Sequence, residues 1–229
     1  MELAIDTSTR FASIGLSRNG EPVVELTWRS ERNHSVELVP SIMSLLERTG
    51  SSVSELDAIY IASGPGGFSA LRVGMSAAKA MAMSLDIPLV AVGSLDIEAQ
   101  PYLGLGGPVC ALVGAGRRRV YLGMFAHGVP RGDTVVEHDE LVDAISYFVS
   151  MGAIICGEGV AQTTELLRDA FGPAANIVEL APPTRRAGTL ASIGYRELQA
   201  GRVADALTLE PLYLRSSQVS TAQRTWRNT

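Results

Sequence analysis

Asp6, Thr7, Ser8 and Thr9 are the first residues able to do chemistry: an acid and three hydroxyls on a turn between two apolar segments. Carboxylate, hydroxyls and turn amides converge there; the plain alternative is that Asp6 caps the turn. Arg117, Arg118 and Arg119 form a basic cluster in a chain of formal charge −5. The cluster reads as a solvated hairpin tip, or as a contact for nucleic acid or an acidic partner surface. His34, His127 and His138 are scattered without the spacing a metal site needs. No Gly-x-Ser-x-Gly elbow raises a serine nucleophile. Cys110 and Cys156 each sit beside an apolar run and read as buried free thiols.

The elements that position these groups are organised around Ser63–Lys79. The run Ala58–Ala62 is a buried strand that ends at Ser63-Gly64-Pro65-Gly66-Gly67, and a helix from Phe68 to Leu85 follows. Gly74 inside that helix costs about 1 kcal/mol against alanine, so something must approach closely on its face. Before it, strands at 2–6, 12–17 and 22–28 make an antiparallel meander with an Asn19-Gly20 hairpin turn. Ser35 is expected to cap a helix running to Thr49, with Pro40 near its first turn. Val36, Val39, Met43 and Leu46 form one apolar stripe on it and Leu38, Ile42 and Leu45 a second, more than one sheet contact requires.

A strand at 89–92 and a helix at 94–102 close the first series, and Gly104–Pro108 reads as a joint. Strands at 109–113, 120–125 and 134–137 then restart it. A helix at 141–150, a strand at 153–156, a helix at 163–171, a strand at 177–180 and a helix at 189–200 continue it. The fold class is therefore α/β, a duplicated βββαβαβα order with parallel crossovers. The expected domains are 1–103 and 104–215, with helix 189–200 packing back on the first lobe and 216–229 a mobile polar tail. Hydrophobic residues at 46% and charged residues at 19% are an ordinary globular balance. With no visible signal peptide and no uncharged apolar run long enough for a bilayer, a cytoplasmic protein without membrane contact is expected.

Gly64-Pro65-Gly66, Leu71-Arg72-Val73-Gly74 and Ala78-Lys79 resemble a signature shared by two related bacterial families, TsaB (YeaZ) and TsaD. His34-Ser35 resembles the opening of a TsaB helix, with Val36 where glutamate is common, and Pro211-Leu212-Tyr213-Leu214-Arg215 resembles the TsaB ending. TsaD proteins carry two metal-binding histidines where this chain has Ser94 and Glu98, so the resemblance selects TsaB. It implies the actin-like (ASKHA, ribonuclease-H-like) two-lobed fold.

The resemblance further implies a subunit without catalysis of its own. Such a subunit pairs with TsaD, recruits the ATPase TsaE, and serves threonylcarbamoylation of adenosine 37 in transfer RNAs reading ANN codons. The expected partner face comprises Val36, Val39, Pro40, Met43, Leu46, Phe68, Leu71, Arg72, Met75 and Ala78, and it could close on itself as a homodimer when the chain is alone. In nucleotide-binding relatives of this fold the turn at Asp6, Thr7 and Ser8 holds phosphate and metal. The matching turn at Gly114–Tyr121 lacks an acid, so no metal and no cofactor are expected for the isolated chain, and ATP or ADP only in the complex. Arg117, Arg118 and Arg119 would face transfer RNA or the partner. The runner-up is an ATP-binding kinase-like or peptidase-like enzyme of the same superfamily, including proteolysis of TsaD.

Overall fold

The computed structural model describes residues 1–31 and 33–214. The expected tail 216–229, and Arg215 at the end of the closing motif, lie outside the described residues. Among the described residues there are two five-stranded sheets, and the chain divides into two compact units. One takes Met1–Ser94 and Arg186–Leu212, and the other Leu95–Arg185.

In the first unit β1 (Glu2–Asp6), β2 (Phe11–Arg18) and β3 (Glu21–Arg29) form the antiparallel meander. Asn19 and Gly20 turn the hairpin at φ 52° and 77°, the left-handed pair that a two-residue loop demands. Then α1 (His34–Arg48), β4 (Ala58–Gly64), α2 (Phe68–Leu85) and β5 (Leu89–Gly93) follow, with β4 parallel to both β1 and β5. The sheet order is β3-β2-β1-β4-β5. Alternation splits the strands between two faces. Leu3, Ile5, Ile59 and Ile61 meet Leu38, Ile42, Leu45 and Met75 of α1 and α2. Tyr60 points the other way, onto α6 (Ala187–Gln199), where a Cβ on Gly194 would stand 2.4 Å from its ring.

The second unit repeats the order. Strands β6 (Val109–Gly114), β7 (Arg119–Ala126) and β8 (Val129–Glu137) precede α4 (His138–Ser150), β9 (Ile154–Cys156), α5 (Thr164–Phe171) and β10 (Asn176–Ile177). Its sheet order, β10-β9-β6-β7-β8, is the mirror listing of the same arrangement: a meander on one side of the first strand and parallel strands on the other. Cys110 and Leu112 face α4 and α5, while Val109, Ala111 and Val113 face α3 (Ser94–Ala99).

The two lobes do not divide at the glycine joint. Leu95 and Ala99 of α3 are buried against Val109, Ala111 and Phe125, so most of α3 belongs to the second unit, whereas α6 covers the first sheet. The strand expected at 177–180 shrinks to Asn176–Ile177. The cap of α1 is Asn33, with Ser35 inside the first turn, and Pro40 lies in the second turn. Helix α4 starts earlier than its apolar pattern, because Glu137 and Glu140 close a capping box there.

Candidate functional site

The turn after β1 is closed on itself. Asp6 Oδ1 accepts hydrogen bonds from Ser8 N at 2.8 Å and Ser8 Oγ at 2.6 Å, and Thr7 Oγ1 donates to Ala70 O at 2.7 Å. Asp6, Thr7 and Ser8 are all buried. The glycine turn before α2 lies directly on them: Gly67 N donates to Ser8 O at 2.7 Å, and a Cβ on Gly66 would stand 2.1 Å from that oxygen. Gly74 meets Thr7 in the same way, so the close approach read from the sequence is made by the turn after β1. His34 is buried at the start of α1 and bonds Thr9 O through Nε2 at 3.1 Å.

Outside this joint, α1 and α2 turn a second face to solvent. Val36 is 68% exposed, Val39 53% and Met43 51%, with Pro40 beside them. On α2 the outer stripe reads Phe68, Arg72, Ser76 and Met83, with the Arg72 guanidinium 4.0 Å over the Phe68 ring. Leu46, Leu71, Met75 and Ala78, assigned to the partner face from sequence, are instead buried in the first unit. The reason is helical spacing: Leu71, Met75, Ala78 and Ala82 recur every three or four residues and share, with Gly74, the face of α2 that is turned to the sheet.

In the second unit, α3 carries a group whose partners no local pattern reveals. Glu98 and Arg185 are both buried, with Arg185 Nη1 2.9 Å from Glu98 Oε1. Thr184 Oγ1 donates to the same carboxylate at 2.8 Å and Glu158 N at 3.1 Å, while Arg185 Nη2 also reaches Glu158 Oε1 at 3.2 Å. Burial pushes the Glu98 carboxyl above its ordinary value, and Arg185, Thr184 and the Glu158 amide oppose it. A charged residue on the otherwise apolar side of α3, beside Leu95 and Ala99, was the available signal; its cation lies 87 residues away.

Arg117, Arg118 and Arg119 are exposed on the turn between β6 and β7. Arg119 Nε lies 3.9 Å from Glu137, and Arg118 O accepts from His138 N, which brings the acidic start of α4 beside the cluster. Among the described residues no group of three or more His, Cys, Asp or Glu could hold a metal ion. No helix among them is long and apolar enough to cross a membrane.

A family model described as TsaD, tRNA N6-adenosine threonylcarbamoyltransferase, matches residues 28–152. The tRNA threonylcarbamoyladenosine biosynthesis protein TsaB of Bacillus subtilis (strain 168) is 30% identical over 220 residues, covering 94% of each chain. The chain belongs to the TsaB family. YeaZ from Pseudomonas aeruginosa, the same family under its other name, has a TM-score of 0.75 and 27% identity, over 93% of this chain and 99% of that one. Component A of the Acidaminococcus fermentans (R)-2-hydroxyglutaryl-CoA dehydratase has a TM-score of 0.52 at 11% identity, over 86% of this chain and 98% of that one, a likeness of fold alone. The fold is actin-like, as the duplicated order implies, and the TsaB family serves transfer RNA threonylcarbamoyladenosine biosynthesis.

Proposed function

We propose that this chain is a non-catalytic, cytoplasmic scaffold that pairs with a TsaD subunit through the outer face of α1 and α2. The pair, with TsaE recruited to it, carries out threonylcarbamoylation of adenosine 37 in transfer RNAs reading ANN codons. The observation that carries the reading is the apolar outer face of α1 and α2, within the segment that matches the TsaD model. A TsaD subunit has a counterpart of that helix pair, and two related pairs can meet about a pseudo-two-fold axis as a four-helix bundle. Exposed Val36, Val39, Met43 and Phe68 would be covered in that arrangement, which removes a patch that monomers seldom leave open. The same face closing on a second copy gives a homodimer when TsaD is absent.

Catalysis by the chain itself is not part of this reading, because the hydroxyls and carboxylate of Asp6, Thr7 and Ser8 are turned to each other and to α2. ATP or ADP is assigned to the assembled complex, not to this turn. Titrating cognate TsaD into the purified chain tests the pairing. Val39→Asp and Met43→Asp alter exposed positions, so the variants keep the fold. An unpaired charge in an interface core costs about 3 kcal/mol or more, and TsaD affinity should fall about a hundredfold. Wild-type affinity in both variants would remove the face from the reading. ATP or peptide hydrolysis by the isolated chain, abolished by Asp6→Ala, would replace the scaffold with the enzyme alternative.

A further inference from the structure

The segment after α6 is fastened across the first unit at three places. Ala204 N donates to Leu89 O at 2.7 Å, a bridge onto β5, the edge strand of its sheet. Lys79 Nζ donates to Leu209 O at 2.9 Å and to Leu207 O at 3.3 Å, and Leu212 N donates to Ser63 O at 2.8 Å. Between the first two anchors Asp205 shapes a tight turn, accepting from Leu207 N at 2.9 Å and Thr208 Oγ1 at 3.0 Å. Ala206 and Leu209 pack inward on the core of the first unit, while Leu207 stands 73% exposed. The hydrogen-bonded turn thus holds Leu207 outward, where covering its side chain would remove apolar surface from water.

Lys79 gives the turn its address. It lies seven residues after Arg72, three after Ser76 and four before Met83, on the outward stripe of α2. A free ammonium there would be stripped of water by any apolar partner. Two of its three donors go instead to the turn carbonyls, which lays the turn alongside the stripe. We propose that the turn Asp205–Leu209, held by Lys79, is a third element of the face that receives TsaD, with Leu207 as its apolar contact and Lys79 as a positioning residue. The proposal rests on the TsaD docking reading above. Continuity with the outer stripe of α2, through Lys79, argues for the same occupant.

The test is calorimetric titration of full-length variants with cognate TsaD, using Val39→Asp as the reference. Leu207→Asp changes an exposed side chain and leaves the fold intact. Lys79→Met keeps the aliphatic stem and removes both carbonyl bonds. Leu207→Asp should weaken TsaD about tenfold or more, and Lys79→Met by a similar factor. Lys79→Met should also speed hydrogen exchange at the Leu212 amide in the free chain. If Leu207→Asp and Lys79→Met bind like wild type while Val39→Asp does not, the turn lies outside the interface and the proposal is overturned. If Val39→Asp also binds like wild type, the docking reading itself fails.

Discussion

A Cβ on Gly74 would stand 2.3 Å from Thr7 Oγ1, and this is why a long helix of otherwise good formers carries a glycine near its middle. Thr7 bridges the β1–β2 turn to α2 by donating to Ala70 O, one helical turn before Gly74. Gly74→Ala gains about 1 kcal/mol of helix propensity but overpacks this joint, at a cost of about 1–3 kcal/mol. The net effect should be destabilising. In a Thr7→Ala background the oxygen is gone and the cost of Gly74→Ala should shrink. Urea unfolding of the two single variants and the double variant measures the coupling, and strictly additive costs would show that the two residues do not meet.

Much of the fold is legible in the sequence because the signals are local. Asn19-Gly20 fixes a hairpin, and Gly67 and Asp86 bracket α2, Asp86 taking the left-handed conformation that ends the helix. The outer face is legible only in part. Both stripes of α1 are apolar, and nothing local decides that Leu38, Ile42 and Leu45 turn inward while Val36, Val39 and Met43 turn outward. On α2, apolar size alone marks Leu71 and Met75 for the docking face, yet both are buried inside the unit. The ownership of α3 and the Glu98–Arg185 pair depend on segments far apart in sequence, which periodicity does not carry.

Arg185→Met should destabilise the second unit by about 3–5 kcal/mol at neutral pH, because it leaves Glu98 buried without its cation. The deficit should depend on pH. Burial raises the Glu98 carboxyl above its ordinary 4.5, so the folded chain holds that proton more tightly than the unfolded chain. Such a group contributes most below pH 4.5 and loses its contribution as pH rises through the folded value. Removing Arg185 takes away the strongest opposing effect and extends the window upward. Thermal unfolding from about pH 4 to about pH 8 should show the smallest deficit at the acid end, and Glu98→Gln should recover part of it at neutral pH. A deficit that stayed constant with pH would mean that Glu98 does not depend on Arg185.

Cys110 and Cys156 should be inert in the native chain. Both are fully buried, and burial pushes the Cys110 thiol up to about 12 and raises Cys156 as well, with Glu98 adding to the second. They lie on opposite faces of their sheet, Cys110 toward α4 and α5 and Cys156 toward α3. A thiol reagent should therefore label neither until the chain unfolds, at a rate that follows unfolding. Rapid labelling under native conditions would show that one of these faces opens.

Arg117 and Arg118 are the members of the basic turn to test against transfer RNA, since Arg119 already faces Glu137 at 3.9 Å. The acidic first turn of α4 lies next to the cluster, so only side chains reaching beyond it can meet a phosphate. Replacing all three arginines by alanine should leave the fold and TsaD binding unchanged, because the turn is exposed and belongs to the second unit, not to the α1 and α2 face. For every phosphate that a variant no longer meets, transfer RNA binding by the assembled complex should have a log–log salt slope flatter by up to about one unit. The expected change for Arg117→Ala with Arg118→Ala is then up to about two units, and adding Arg119→Ala should contribute little. Filter binding of transfer RNA across a salt series reads this directly. An unchanged slope in the triple variant returns the turn to solvated surface.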